Sequence, residues 1–216
     1  NTTPAPLKDI QVQITTEPTF GNAAPIAVAQ IPPNESICLS SFNLTLSANY
    51  FTQLTERLSG NLKIEITSEA VSVFSQTYPI DILAYDQWGG INVLPEMLAA
   101  FITPNHTAIL PIIKRAASIL GQWTDNPSLD EYQSRTPDRV RKQMAAIYTA
   151  ITEQQIIYST IPASFEEYGQ RVRLANSVMA QKLGTCLDMA LLYASCLEAI
   201  GLNALIIITQ GHAFAG

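Results

Sequence analysis

Apolar and polar positions alternate over the first 85 or so residues. Ile10, Val12 and Ile14 do so, then Phe42, Leu44 and Leu46, then Leu62, Ile64 and Ile66. A period of two predicts strands with one buried face. Val71 to Phe74 and Ile80 to Leu83 add two further short strands, and Pro32-Pro33-Asn34 and Ser59-Gly60-Asn61 supply turn signals between runs. Short strands with frequent turns and little helix predict a β-sandwich of immunoglobulin-like kind.

Near Trp88-Gly89-Gly90 the period changes. Leu94, Leu98, Phe101 and Ile102 fit a short helix, and a second is expected from His106 to Leu120 with Pro111 in its first turns. Thr136-Pro137 is an N-cap followed by proline at the first helical position, and Val140, Met144, Ile147, Tyr148 and Ile151 mark one apolar face after it. Ile156 to Tyr158 reads as a short strand or extended segment. Residues 159–174, with Pro162, Gly169 and two arginines, read as a surface connection. The change of period predicts an α+β chain divided into a strand domain, residues 1–87, and a helical and mixed domain, residues 88–216.

The last segment bears most on chemistry. Gly184-Thr185-Cys186-Leu187-Asp188 opens a helix that runs to about Ile200, where Gly201-Leu202-Asn203 stops it. Only Asp188, Ser195 and Glu198 interrupt its apolar surface, so it is expected to be largely buried. Thr185 and Asp188 match a capping box, which makes Cys186 the first helical residue. Unsatisfied backbone N–H groups and the helix dipole at that position favour a thiolate. Gly184 leaves room beside the sulfur for a substrate backbone.

A base is also within geometric reach. The helix rises about 21 Å from Cys186 to Ile200 at ~1.5 Å per residue. An extended run from Ala204 to His212 returns about 26 Å at ~3.3 Å per residue. If it runs back along the helix, His212 arrives beside Cys186, and the pair is the minimum for an activated thiol nucleophile. Each residue also has a plain structural reading. A cysteine in an apolar helix packs as a small hydrophobe, the reading given to Cys196, and Asp188 reads as a cap turned away from the sulfur.

Composition narrows the field. In 216 residues, twelve basic against eighteen acidic side chains give a net charge of −6, contrary to a nucleic-acid footprint. The only basic density, Arg139, Arg141, Lys142, Arg171 and Arg173, lies near Asp138 and Glu166-Glu167 and reads as a solvated face. The longest apolar run, Ala204 to Ile208, is far short of the roughly 20 residues of a membrane span. Two histidines, His106 and His212, without Cys-x-x-Cys or His-Glu-x-x-His, predict no metal site, and no cofactor motif occurs. Three cysteines, Cys38, Cys186 and Cys196, fit a reducing compartment, and the expected location is the cytoplasm. Four Asn-x-Ser/Thr tripeptides, at Asn1, Asn34, Asn43 and Asn105, are read as chance occurrences. A start at Asn1 and a stop at Gly216 suggest a piece of something longer.

Gly184-Thr185-Cys186-Leu187-Asp188, the helix through Leu197-Glu198-Ala199-Ile200-Gly201-Leu202-Asn203, and Gly211-His212-Ala213-Phe214 together resemble the transglutaminase-like superfamily of papain-type thiol enzymes. The nearer resemblance is to the transglutaminase-like region near the N-terminus of large bacterial proteins that continue into helicase-like ATPase and nuclease-like parts. Trp88-Gly89-Gly90, Leu94-Pro95-Glu96, Pro104-Asn105-His106, Gln170-Arg171-Val172-Arg173 and Leu54-Thr55-Glu56-Arg57 extend it over nearly the whole chain. The resemblance implies Cys186 as nucleophile and His212 as base. It also implies a third, orienting residue on a strand beyond Gly216, so that the domain is C-terminally incomplete. An oxyanion donor besides the Cys186 amide is implied, with Gln170 and Gln181 as candidates that read equally well as surface glutamines. Members of the superfamily hydrolyse amides, transfer acyl groups or have lost activity. Two functions therefore stand. One is a thiol hydrolase or acyltransferase acting on a peptide or protein, working beside the remaining domains of a parent chain. The other is an inactive recognition or docking module of a helicase-like protein.

Overall fold

In the computed structural model, which describes residues 1–39, 41–160 and 165–216, the alternating run at the N-terminus is β1 (Leu7–Glu17), with Ile10 and Val12 buried and the intervening glutamines exposed. β2 (Gly21–Ala23), β3 (Ile26–Ile31), β4 (Leu44–Leu46), the short helix α1 (Ala48–Gln53), β5 (Leu58–Ser68) and β6 (Val71–Ile82) follow. An antiparallel four-stranded sheet takes the order β3-β1-β5-β6, and β2 pairs with β4. Phe20, Leu54 and Ile82 form the centre of this unit, residues Asn1–Tyr85, with Tyr50 and Phe51 packed on it.

Two expectations fail here. Ser59-Gly60-Asn61 is not a turn but lies inside β5, and the two short strands around Val71 and Ile80 are one strand of 12 residues. Gly60 is buried in the sheet, where a Cβ would press on Ile82 Cδ1 at 2.8 Å and the Glu17 carbonyl at 2.9 Å. A glycine inside a strand marks such a close approach as readily as it marks a turn.

The second unit, Asp86–Gly216, begins with β7 (Gln87–Trp88). Two 3-10 turns, Pro95–Phe101 and Thr107–Ile109, precede α2 (Leu110–Thr124). The expected helix at His106 thus opens as a 3-10 turn, capped by His106 Nδ1, which accepts the Ala108 N–H at 3.1 Å. α3 (Pro137–Thr152), β8 (Ile157–Tyr158), α4 (Phe165–Tyr168), β9 (Gln170–Arg171), α5 (Ala175–Gln181), β10 (Leu183–Gly184), α6 (Cys186–Ala199), β11 (Ile206–Thr209) and β12 (His212–Ala215) complete it. With sheet concentrated in the first unit and helix in the second, the fold is α+β.

α2, α3 and α6 enclose the main core, to which Ile112, Leu120, Ile147, Leu192 and Leu197 contribute. The three polar residues of α6 each accept a backbone N–H from another segment. Asp188 takes that of Arg173 at 2.8 Å, Ser195 that of Thr103 at 3.0 Å and Glu198 that of Ala204 at 2.7 Å. Burial of Asp188 and Ser195, and partial burial of Glu198, is tolerated because each acceptor is used.

Residues 159–174 are more than a surface connection: Val172 is buried, and β9 pairs with β7. Pro162 and the Glu166 side chain lie outside the described residues. Nor are all the arginines solvated. Arg139 meets Asp130 at 3.2 Å and donates to Thr124 Oγ1 and the Asn126 and Ser128 carbonyls, which fixes the loop between α2 and α3. Gln143, wholly buried, exchanges hydrogen bonds with both backbone groups of Glu131 in the same loop. No helix among the described residues is long and apolar enough to cross a membrane.

Candidate functional site

Thr185 and Asp188 make the capping box in full. The Thr185 hydroxyl accepts the Asp188 N–H at 3.2 Å, and Asp188 Oδ2 accepts the Thr185 N–H at 2.9 Å. Cys186 is therefore the first residue of α6, as the spacing predicts, and its side chain is 5% exposed. Asp188 also receives the Arg173 guanidinium at 3.2 Å. Its two oxygens are committed to the helix start and to Arg173, so it positions the segment that carries the sulfur.

The approach of β10 to the helix sets a second neighbour. β10 pairs in parallel with β8, Gly184 opposite Tyr158, and this pairing brings the Tyr158 hydroxyl beside the Cys186 thiol. Desolvation first, and then the adjoining thiol, push the Tyr158 pKa above its usual value, so the hydroxyl keeps its proton and can donate.

His212 comes from the β11–β12 strand pair. β11 turns through Gln210-Gly211, with Gly211 at φ +71, and β12 returns antiparallel with Thr209 opposite His212. The expected single strand is thus a hairpin, and His212 opens its second arm. Ala213 enters the cluster that holds Cys186, Leu187 and Trp88, whereas His212 is exposed and lies over Phe214, ring centroids 6.3 Å apart and 25° from parallel. Cys186 and His212 both line one cavity of about 260 Å³.

The two glutamines part company. Gln170 sits opposite Trp88 in the β7–β9 pair, and its Nε2 donates to Thr185 Oγ1 at 3.5 Å, one residue from Cys186. Its Oε1 is buried without a partner, as is Trp88 Nε1. Gln181 is exposed at the end of α5 and does not line the cavity. Gly169 permits the Gln170 placement: at φ +74 it passes so close to Trp88 and Gly89 that a Cβ would collide with the Trp88 carbonyl oxygen.

A thiol at a helix start and an imidazole on the wall of the same cavity are the group types that acyl transfer through a thioester uses, and Gln170 lies against Thr185, one residue before the sulfur. Tyr158 and Arg173 enter this neighbourhood although the sequence assigns neither a place in the site and reads Arg173 as part of a solvated face. The pairing of β8 with β10 that delivers Tyr158 has no local sequence signal, since each strand is two residues long. Among the described residues no three His, Cys, Asp or Glu side chains gather closely enough to hold a metal ion. No protein-family model matches the chain, and no curated protein or solved structure is significantly similar to it.

Proposed function

We propose that the second unit is a transglutaminase-like, papain-type thiol hydrolase or acyltransferase acting on an amide bond of a peptide or protein. In this proposal it works in the cytoplasm as part of a larger multidomain protein, and the strands of the first unit form an immunoglobulin-like sandwich. The observation that carries the reading is that Cys186, at the first position of a buried helix, and His212 line the same cavity.

The chemistry follows from that placement. His212 takes the thiol proton as Cys186 Sγ adds to the amide carbonyl, forming the S–C bond. The Cys186 backbone N–H and Gln170 Nε2 are the donors available to the oxyanion. Collapse breaks the C–N bond, and His212 returns its proton to the leaving amine. Water, or a second amine, then attacks the thioester with His212 again as base. This step restores the thiol and releases an acid or a new amide.

Exposed Cys38 provides an internal reference for the test. Iodoacetamide labelling followed by mass spectrometry is expected to modify Cys186 faster than Cys38 near neutral pH. His212→Ala is expected to remove that advantage, a loss of roughly tenfold or more. Cys186 labelling no faster than Cys38, and indifferent to His212, would overturn the assignment and favour a docking module.

A further inference from the structure

The walls of the Cys186–His212 cavity, away from those two residues and the Tyr158 hydroxyl, are largely apolar. α3 contributes Tyr148 and Ile151, α6 contributes Met189 and Tyr193, and β12 contributes Phe214. Among the described residues its lining includes no carboxylate, ammonium or guanidinium. At about 260 Å³ it is smaller than the roughly 300–1,000 Å³ typical of sites for whole small molecules, and suits a single bulky side chain. The Tyr193 hydroxyl is turned out of use by its bond to the Met144 carbonyl at 3.1 Å, and its ring meets that of Tyr148 edge-on, centroids 6.3 Å apart. Besides the His212 imidazole and the Tyr158 hydroxyl, the wall presents ring faces and aliphatic carbon, a surface on which a charged side chain would lose more hydration than those two groups return.

Resting on the thiol-enzyme reading above, we infer that this cavity is the specificity subsite of the reaction. It receives one aromatic or branched aliphatic side chain of the substrate, on the residue whose carbonyl Cys186 attacks. The subsite selects against acidic and basic residues by desolvation, and it places the scissile carbonyl at the start of α6, where the Cys186 N–H points.

Two measurements on the 216-residue chain separate this inference from the assignment of Cys186 as nucleophile. The first involves no chemistry at the sulfur. N-acetyl-phenylalanine amide and N-acetyl-aspartate α-amide are titrated into the protein while the methyl NMR signals of Met189, Ala213 and Ala215 are followed. The phenylalanine amide is expected to move these signals and to bind roughly tenfold or more tightly than the aspartate amide. Tyr148→Lys and Phe214→Asp, both at exposed wall positions, are expected to erase the preference. Equal affinities, or shifts confined to other parts of the chain, would overturn the subsite.

The second measurement compares N-acetyl-phenylalanyl and N-acetyl-aspartyl chloromethyl ketones as Cys186 labels, with iodoacetamide as the untargeted reference. Faster labelling by the phenylalanyl reagent supports the subsite. His212-dependent iodoacetamide labelling without any side-chain preference would overturn the subsite and leave the nucleophile standing. Selective amide binding next to a thiol inert to every reagent would support the apolar site and remove Cys186 as nucleophile.

Discussion

Asp188 and Arg173 meet twice: the Arg173 backbone N–H donates to one carboxylate oxygen at 2.8 Å and its guanidinium to the other at 3.2 Å. The carboxylate is 0% exposed and also closes the cap on Thr185, so it ties the segment after β9 to the helix start that carries Cys186. Removing it leaves three donors without their acceptor. Asp188→Ala is expected to cost about 2–4 kcal/mol, as loss of one partner of a buried pair combined with loss of a cap implies. Asp188→Asn, which keeps one acceptor oxygen, should cost less. Urea denaturation followed by circular dichroism measures both, and an alanine variant within about 0.5 kcal/mol of wild type would exclude this role.

Alkaline pH should weaken the helical core. Burial pushes the Cys196 thiol up to about 12, and burial with the neighbouring Cys196 and Tyr148 pushes the Tyr193 phenol up to about 12. In the unfolded chain both ionise near their ordinary values, about 9 for the thiol and about 10 for the phenol. The unfolded state therefore loses protons first, and stability that is whole below about pH 9 falls as the pH climbs towards about 12. Melting temperature is expected to be level from pH 7 to 8.5 and to drop steadily above pH 9. Tyr193→Phe combined with Cys196→Ala should flatten the drop, whatever the double variant costs at neutral pH.

The segment around Cys186 was legible in the sequence because its signals are local. A capping box, an apolar helix and a glycine stop lie within about one helix length, and Thr185, Asp188 and Gly201 take the places their residue types predict. The features that failed were settled by distant partners. Gly60 looks like a turn residue until Ile82 and Glu17 are seen against it. Residues 170–173 look solvated until Trp88 and Asp188 claim them. Gln143 gives no sign from its place on α3 that it fills the hydrogen-bonding groups of Glu131. Sequence periodicity reports which face is buried, whereas the identity of what covers that face depends on chain crossings that no short window contains.

Tyr158 supplies a test of the thiol environment that leaves the fold alone. Its side chain is largely exposed, and its hydroxyl lies beside Cys186. A protonated phenol there stabilises a thiolate by hydrogen bonding. Tyr158→Phe is expected to slow Cys186 alkylation several-fold at pH 7.5, with Tm moving by no more than about 1 °C. An unchanged rate would show that the hydroxyl does not act on the sulfur.

Gly169 links backbone conformation to the same site. With φ +74 and no space for a Cβ between it and the Trp88-Gly89-Gly90 backbone, Gly169→Ala has to move β9 away from β7. That shift takes the Gln170 side chain from Thr185 and opens the buried surface of Trp88. A cost of about 2 kcal/mol or more is expected from the left-handed backbone and the collision together. The two consequences separate by comparison with Gln170→Ala, which leaves the backbone unstrained. If Gln170 serves the oxyanion, both variants should slow turnover of an N-acetyl-phenylalanine ester or amide substrate, while iodoacetamide labelling of Cys186, which forms no oxyanion, stays within about twofold of wild type in Gln170→Ala. If Gln170→Ala turns over substrate like wild type while Gly169→Ala does not, Gln170 has no part in the chemistry and the β7–β9 pair acts only by shaping the start of α6.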